Sequence, residues 1–217
     1  MRLIQNYIFL IGLLCLASCR TVSYFDSPNN LKNREGTLYL HDGKTIDGKL
    51  VIETENIFGG KVKLFAGDEK RPMQFSLSQV RGYAMDNNKY ELKEIREGLS
   101  IGKRQFFMKR LTPEGSRMHL YEFSKKEIVN KTSSRHVLEY YVELPGEEEN
   151  LVFSTNGSHF VPHFEQKVSR IVSDCPTLAK KIAEKQNGFF YAQVNLLREK
   201  RVDVLMRIIE EYNNCGQ

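Results

Sequence analysis

Four cysteines, Cys15, Cys19, Cys175 and Cys215, carry the widest choice of chemistry in this 217-residue chain. A thiolate can be acylated, oxidised to a disulfide, bound to a metal or used as a nucleophile. His159 and His163 stand four apart, the spacing that would place two imidazoles on one helix face, but Pro162 lies between them and reads as a helix start. Glu147-Glu148-Glu149 offers three carboxylates in a turn between strands, where all would be solvated and none would gain the separate pKa values that acid and base roles need. The chain has no Gly-x-Ser-x-Gly elbow, and neither a catalytic residue nor a metal or cofactor site is assigned from the sequence.

The first two cysteines fall in "LLCLASCRTV", residues 13–22, after Met1-Arg2 and an apolar run from Tyr7 to Leu16. A run of about ten residues is short of the roughly 20 that a spanning helix needs, and a charged start, a short apolar core and small residues form an export signal. Leu16-Ala17-Ser18-Cys19 resembles the lipobox of bacterial lipoproteins. That resemblance implies diacylglycerol on the Cys19 thiol, removal of residues 1–18 and a lipid anchor, with Cys15 an ordinary residue of the signal. Surface-exposed lipoproteins of Bacteroidota carry acidic residues after the lipidated cysteine; here none occurs before Asp26, which implies an outer-membrane protein facing the periplasm.

Removing 18 of 217 residues leaves 199, enough for one large or two small domains. Arg2 leaves with the signal, so the formal charge of +5 becomes +4, too small to demand nucleic acid as a partner. Cys175 and Cys215 then remain as an even pair in an oxidising compartment, a disulfide in the simplest reading, with free thiols or metal ligation as the alternatives. Asp174-Cys175-Pro176 opens a helix through "TLAKKIAEK" that stops near Asn187-Gly188, and "NLLREKRVDVLMRIIEEYNNC" is a second, with Leu197, Val204, Leu205, Ile208, Ile209 and Tyr212 on one stripe. An antiparallel pair of such helices brings the two cysteines together.

Residues 19–34 are polar and aperiodic, a tether. Residues 35–98 alternate in strand fashion: "TLYLHDGKTIDGKLVIE" folds over an Asp42-Gly43 turn, followed by "KVKLF", "QFSLSQVRGY" and "KYELKEI". Residues 99–158 give two hairpins, one around "TPEG" and one around "PGEEEN", and residues 159–217 are helical. Strands first and helices last is an α+β order.

The run over 35–98 resembles the Sm-like or SH3-like small barrel, giving an expectation of a small SH3/Sm-like β-barrel, further β-hairpins and C-terminal helices. The chain from about 36 to 215 also resembles uncharacterised Bacteroidota lipoproteins, through Asp42, Gly43, Gly48, Gly82, Asp174-Cys175-Pro176, Tyr212-Asn213 and Cys215. That resemblance implies a fold and an address, without an activity. In "GKRQFFMKR", Lys103, Arg104, Lys109 and Arg110 interleave with aromatics as a candidate contact for lipid headgroups or glycan, set against a core strand with charged ends; Tyr140-Tyr141 reads as one ring in and one out of a sheet.

The functional expectation is a non-catalytic binding or envelope-assembly module, tethered to the membrane and meeting a protein or glycan partner. Its rivals are an enzyme acting on an envelope polymer and a purely structural protein. A deep cleft with converging carboxylates favours the enzyme; a filled barrel with a shallow face favours the binder.

Overall fold

A computed structural model describes residues 27–54, 60–96, 103–128, 134–143, 151–153, 164–190 and 198–216. The signal, Cys19, His159, His163, Glu147-Glu148-Glu149 and Leu197 lie outside these residues.

The strands are β1 (Asn30–Leu40), β2 (Thr45–Glu53), β3 (Lys61–Phe65), β4 (Met73–Ser76), β5 (Val80–Met85), β6 (Asn88–Arg96), β7 (Lys103–Arg110), β8 (His119–Ile128), β9 (Ser134–Glu143) and β10 (Leu151–Phe153). Among the described residues three helices follow: α1 (Phe164–Ile171), α2 (Pro176–Ala183) and α3 (Arg198–Asn213). All ten strands form one antiparallel sheet in the order β10-β9-β8-β7-β6-β5-β1-β2-β3-β4, an α+β architecture. Every neighbour is consecutive in sequence except β5, which returns to pair with β1. No described helix is long and apolar enough to cross a membrane.

The small barrel expected over 35–98 is not a closed unit. β5 spends one edge on β1 and the other on β6, leaving none to meet β4, so β4 and β10 are the edges of an open sheet. Alternation shows where strands run but carries no information on which strand each will neighbour. The β6–β7 ladder also crosses the boundary expected at residue 98, making one sheet of the two β segments. "QFSLSQVRGY" is two strands rather than one, because a 3-10 turn at Leu77–Gln79 interrupts it; Gln79 caps this turn, its Oε1 accepting from the Ser76 amide at 2.9 Å.

Strand structure is already present ahead of the expected Glu35. β1 starts at Asn30, and Asn29, only 1% exposed, docks ahead of it. Its Nδ2 donates to the Phe107 carbonyl at 3.0 Å, and its Oδ1 accepts from the Phe107 amide at 2.7 Å and the Thr54 hydroxyl at 2.8 Å. β8 pairs with β7 only at Lys109 and Arg110, so the Asn29 side chain serves main-chain groups that the ladder leaves uncovered. At Gly43 (φ +86°) the β1–β2 turn needs the left-handed region, and at Gly82 an added Cβ would collide with the Tyr90 carbonyl.

Alternation sends apolar side chains to both faces. Leu38, Leu50, Ile52, Val62, Leu64, Tyr83 and Phe107 form a core under β1–β7. Leu120, Tyr140 and Val142 pack against the helical residues Phe164, Leu178, Ile182, Leu205 and Ile208. On the opposite face, Ile95, Phe106, Met108, Tyr121, Phe123 and Tyr141 form a third cluster. Tyr140 and Tyr141 do take opposite faces, but both are buried, so the expected outward ring is in a core as well.

Candidate functional site

The face of β6–β9 that carries the third cluster becomes polar at one end. Strand alternation puts Glu91 and Lys93 of β6, Arg110 of β7, His119 and Tyr121 of β8, and Glu143 of β9 on it, and the register sets Arg110 against Tyr121 and His119 against Glu143. These side chains floor a groove of about 1150 Å³, whose further walls come from His41, Arg81, the β7–β8 loop, Arg170 and Asp174.

The Tyr121 hydroxyl lies 2.8 Å from Oε2 of both Glu91 and Glu143. A phenol has one proton, so it donates to one carboxylate at a time, and the two acidic oxygens stand no more than 5.6 Å apart, twice that separation. Lys93 and Arg110 offset their repulsion. Lys93 Nζ is 2.7 Å from Glu143 and 3.6 Å from Glu91, and Arg110 donates to Glu91 at 2.6 Å. The Lys93 ammonium also sits over the Tyr121 ring, 4.6 Å from its centroid.

Burial pushes the Glu143 carboxyl up, but the Lys93 ammonium, the Tyr121 hydroxyl and His119 outweigh it and hold Glu143 below the usual carboxylate range. Burial likewise holds the His119 imidazole below its ordinary value against the pull of Glu143 and Glu91. The Tyr121 phenol is driven far up, first by burial and then by the two carboxylates. Near neutral pH the floor therefore carries an ionised Glu143, a neutral imidazole and a protonated phenol.

One wall is built by the cysteine motifs. Cys175 and Cys215 form a disulfide, with Cα atoms 6.1 Å apart. Cys175 is the N-cap of α2 and Pro176 its first residue. Beside the bridge, Asp174 accepts from the Arg117 guanidinium and, at 3.0 Å, from the Tyr212 hydroxyl. Arg117 also donates to the Cys215 carbonyl at 2.8 Å and lies 4.5 Å over the Tyr212 ring. Asn213 clasps the Met118 main chain twice, accepting from its amide at 2.7 Å and donating to its carbonyl at 3.0 Å. Asp174, Tyr212 and Asn213 thus fix the β7–β8 loop against α3.

The basic-aromatic candidate fares differently. Arg104 is exposed with its guanidinium 4.9 Å from the Phe106 centroid, Lys109 is half-buried opposite Tyr90 and Glu122, and Arg110 is 10% exposed in its pair with Glu91. Lys103 is a β7 residue paired with Arg96. Arg104 and Lys109 point to opposite faces, and Arg104 and Arg110 are about 20 Å apart along the strand. Arg104, Lys109 and Arg110 are not brought together as one patch, and of these three Arg110 belongs to the groove. Among the described residues, no group of three or more His, Cys, Asp or Glu could hold a metal.

No family model, curated protein or solved structure matches the chain, so the functional reading rests on its geometry and its sequence signals.

Proposed function

We propose that this chain is an envelope lipoprotein, anchored through Cys19 at the outer membrane and facing the periplasm, that binds a protein or glycan partner in the groove over β6–β9 without catalysing a reaction. The observation that carries the binding role is the ion-paired floor of the groove, where Glu91, Lys93, Arg110 and Glu143 stand partly exposed on a sheet face and the buried Tyr121 hydroxyl braces the two carboxylates. The export signal and lipobox support the address. The strand order β5-β1-β2-β3-β4, with a 3-10 turn before β5, supports reading the first half as an opened relative of the SH3 or Sm small barrel.

The two carboxylates converging on Tyr121 favour a second reading, a hydrolase acting on an envelope polymer. Against it, an acid–base pair needs one carboxyl kept protonated, while Glu143 is held ionised and Glu91 is tied to Arg110. Thermal-shift screening of the full chain against envelope glycans, peptides and lipids separates the readings. The binding reading expects a specific stabiliser that loses its effect when Tyr121→Phe and Glu143→Gln are combined. Fragments released from an envelope polymer by the wild type and not by Glu143→Gln would establish the enzyme instead.

A further inference from the structure

Resting on the reading of this groove as a binding site, we infer that its ligand is an acidic oligosaccharide segment whose negative groups are held by Arg81 and Arg170. Each acid of the groove already has a cation of its own: Glu91 with Arg110, Glu143 with Lys93, Glu114 with Lys89 at 2.7 Å, and Asp174 with Arg117. Arg81 of β5 and Arg170 of α1 remain. Both are exposed and both line the groove, and neither has an acidic partner among the described residues; Arg81 only flanks the Tyr39 ring at 5.8 Å. The site thus has two guanidinium groups in surplus, on separate elements, each with a planar fork of donors suited to carboxylate or phosphate.

The body of the ligand follows from the floor and the volume. The partly exposed carboxylates of Glu91 and Glu143 and the His119 imidazole offer acceptors and a donor to hydroxyls, and among the described lining residues Leu92 and Ile171 are the only aliphatic side chains, few for the side chains of a peptide. At about 1150 Å³ the groove exceeds the roughly 300–1,000 Å³ of ordinary small-molecule pockets, which suits several linked sugar units. Its concavity argues against a flat lipid surface as the occupant.

The test titrates the full chain with two acidic probes, hexameric oligogalacturonate and a phosphomannan oligosaccharide. Maltohexaose, hexaglutamate and phosphatidylglycerol vesicles serve as comparisons. At least one acidic oligosaccharide should bind at least tenfold more tightly than the other probes, and its affinity should fall as salt is raised. Arg81→Gln and Arg170→Gln, at exposed positions that leave the fold intact, should each cost about tenfold, and together about a hundredfold. Equal binding of maltohexaose, preferential binding of hexaglutamate or of vesicles, binding of neither acidic oligosaccharide, or undiminished affinity in the double arginine variant would overturn the inference. Failure of the groove reading itself looks different: ligands found in the thermal-shift screen would then be indifferent to Tyr121→Phe with Glu143→Gln.

Discussion

Asn29→Ala tests how the segment ahead of β1 is held to β7. The substitution removes three side-chain hydrogen bonds at a residue 1% exposed, against a Phe107 that is fully buried. The Thr54 hydroxyl keeps the Asn29 carbonyl as an acceptor at 3.2 Å, so the groups left without partners are the Phe107 amide and carbonyl. Each buried, unsatisfied main-chain group costs about 1–3 kcal/mol, which puts the loss at about 4 kcal/mol, a large share of the roughly 5–15 kcal/mol that holds a domain folded. Equilibrium urea unfolding of wild type and variant measures it.

Asn29→Asp adds a sign test. Near neutral pH its carboxylate sets a charged oxygen against the Phe107 carbonyl and should be at least as damaging as alanine. Burial raises its folded pKa above the unfolded value, so protonation, which restores a donor, should shrink the deficit of this variant against wild type at the same pH as the pH falls. A loss below about 1 kcal/mol for Asn29→Ala, or an undiminished deficit in acid for Asn29→Asp, would refute the assignment of Asn29 as the partner of β7.

Replacing Cys175 and Cys215 together with serine should cost about 4 kcal/mol by loop-closure entropy for a separation of 40 residues, read as a lower urea midpoint; an unchanged midpoint would contradict it. Cys19→Ala should abolish incorporation of labelled fatty acid, and continued labelling would remove the lipobox assignment. Stability should fall on acidification. His119 and Glu143 both have folded pKa values below their unfolded ones, so their contributions are present above the ordinary values of 6.5 and 4.5 and are lost as the pH drops through the folded values. His119→Gln should flatten the part of this slope that begins near pH 6.5, and a wild type that gains stability on acidification would contradict the assignment.

The strands and helices were legible because each obeys a local rule. Alternation marked "KVKLF" and "KYELKEI", Asp42-Gly43 marked the first turn, and Pro176 with the stripe Val204, Leu205, Ile208, Ile209 marked the last helices and, through them, the disulfide. Closure of the first strands was not legible, because β5 chooses β1 and β6 through long-range packing rather than any feature of "VRGYAM". The early start was hidden because Asn29 lies in a polar stretch, "SPNN", that composition alone assigns to a tether.

The groove was missed for a related reason. Its residues are supplied by four strands, each giving only one or two charges that look like a solvated face. A signal existed in the alternation itself: Glu91 and Lys93 share the phase of Ile95, and His119 and Tyr121 that of Phe123, so polar side chains stand on a face whose continuation is apolar. The basic run Lys103 to Arg110 drew attention by density, whereas strand geometry scatters it.

The central claim, that this groove is where the protein meets its partner, is tested most directly by site-specific photo-crosslinking in intact cells. A photoreactive residue is placed at His41, exposed on the groove wall, and, as the comparison, at Lys49 on β2, outside the groove. The account predicts a discrete adduct with an envelope component from position 41, abolished by Tyr121→Phe with Glu143→Gln, and none from position 49. Adducts equal at both positions, or an adduct at 41 that survives the groove substitutions, would contradict it.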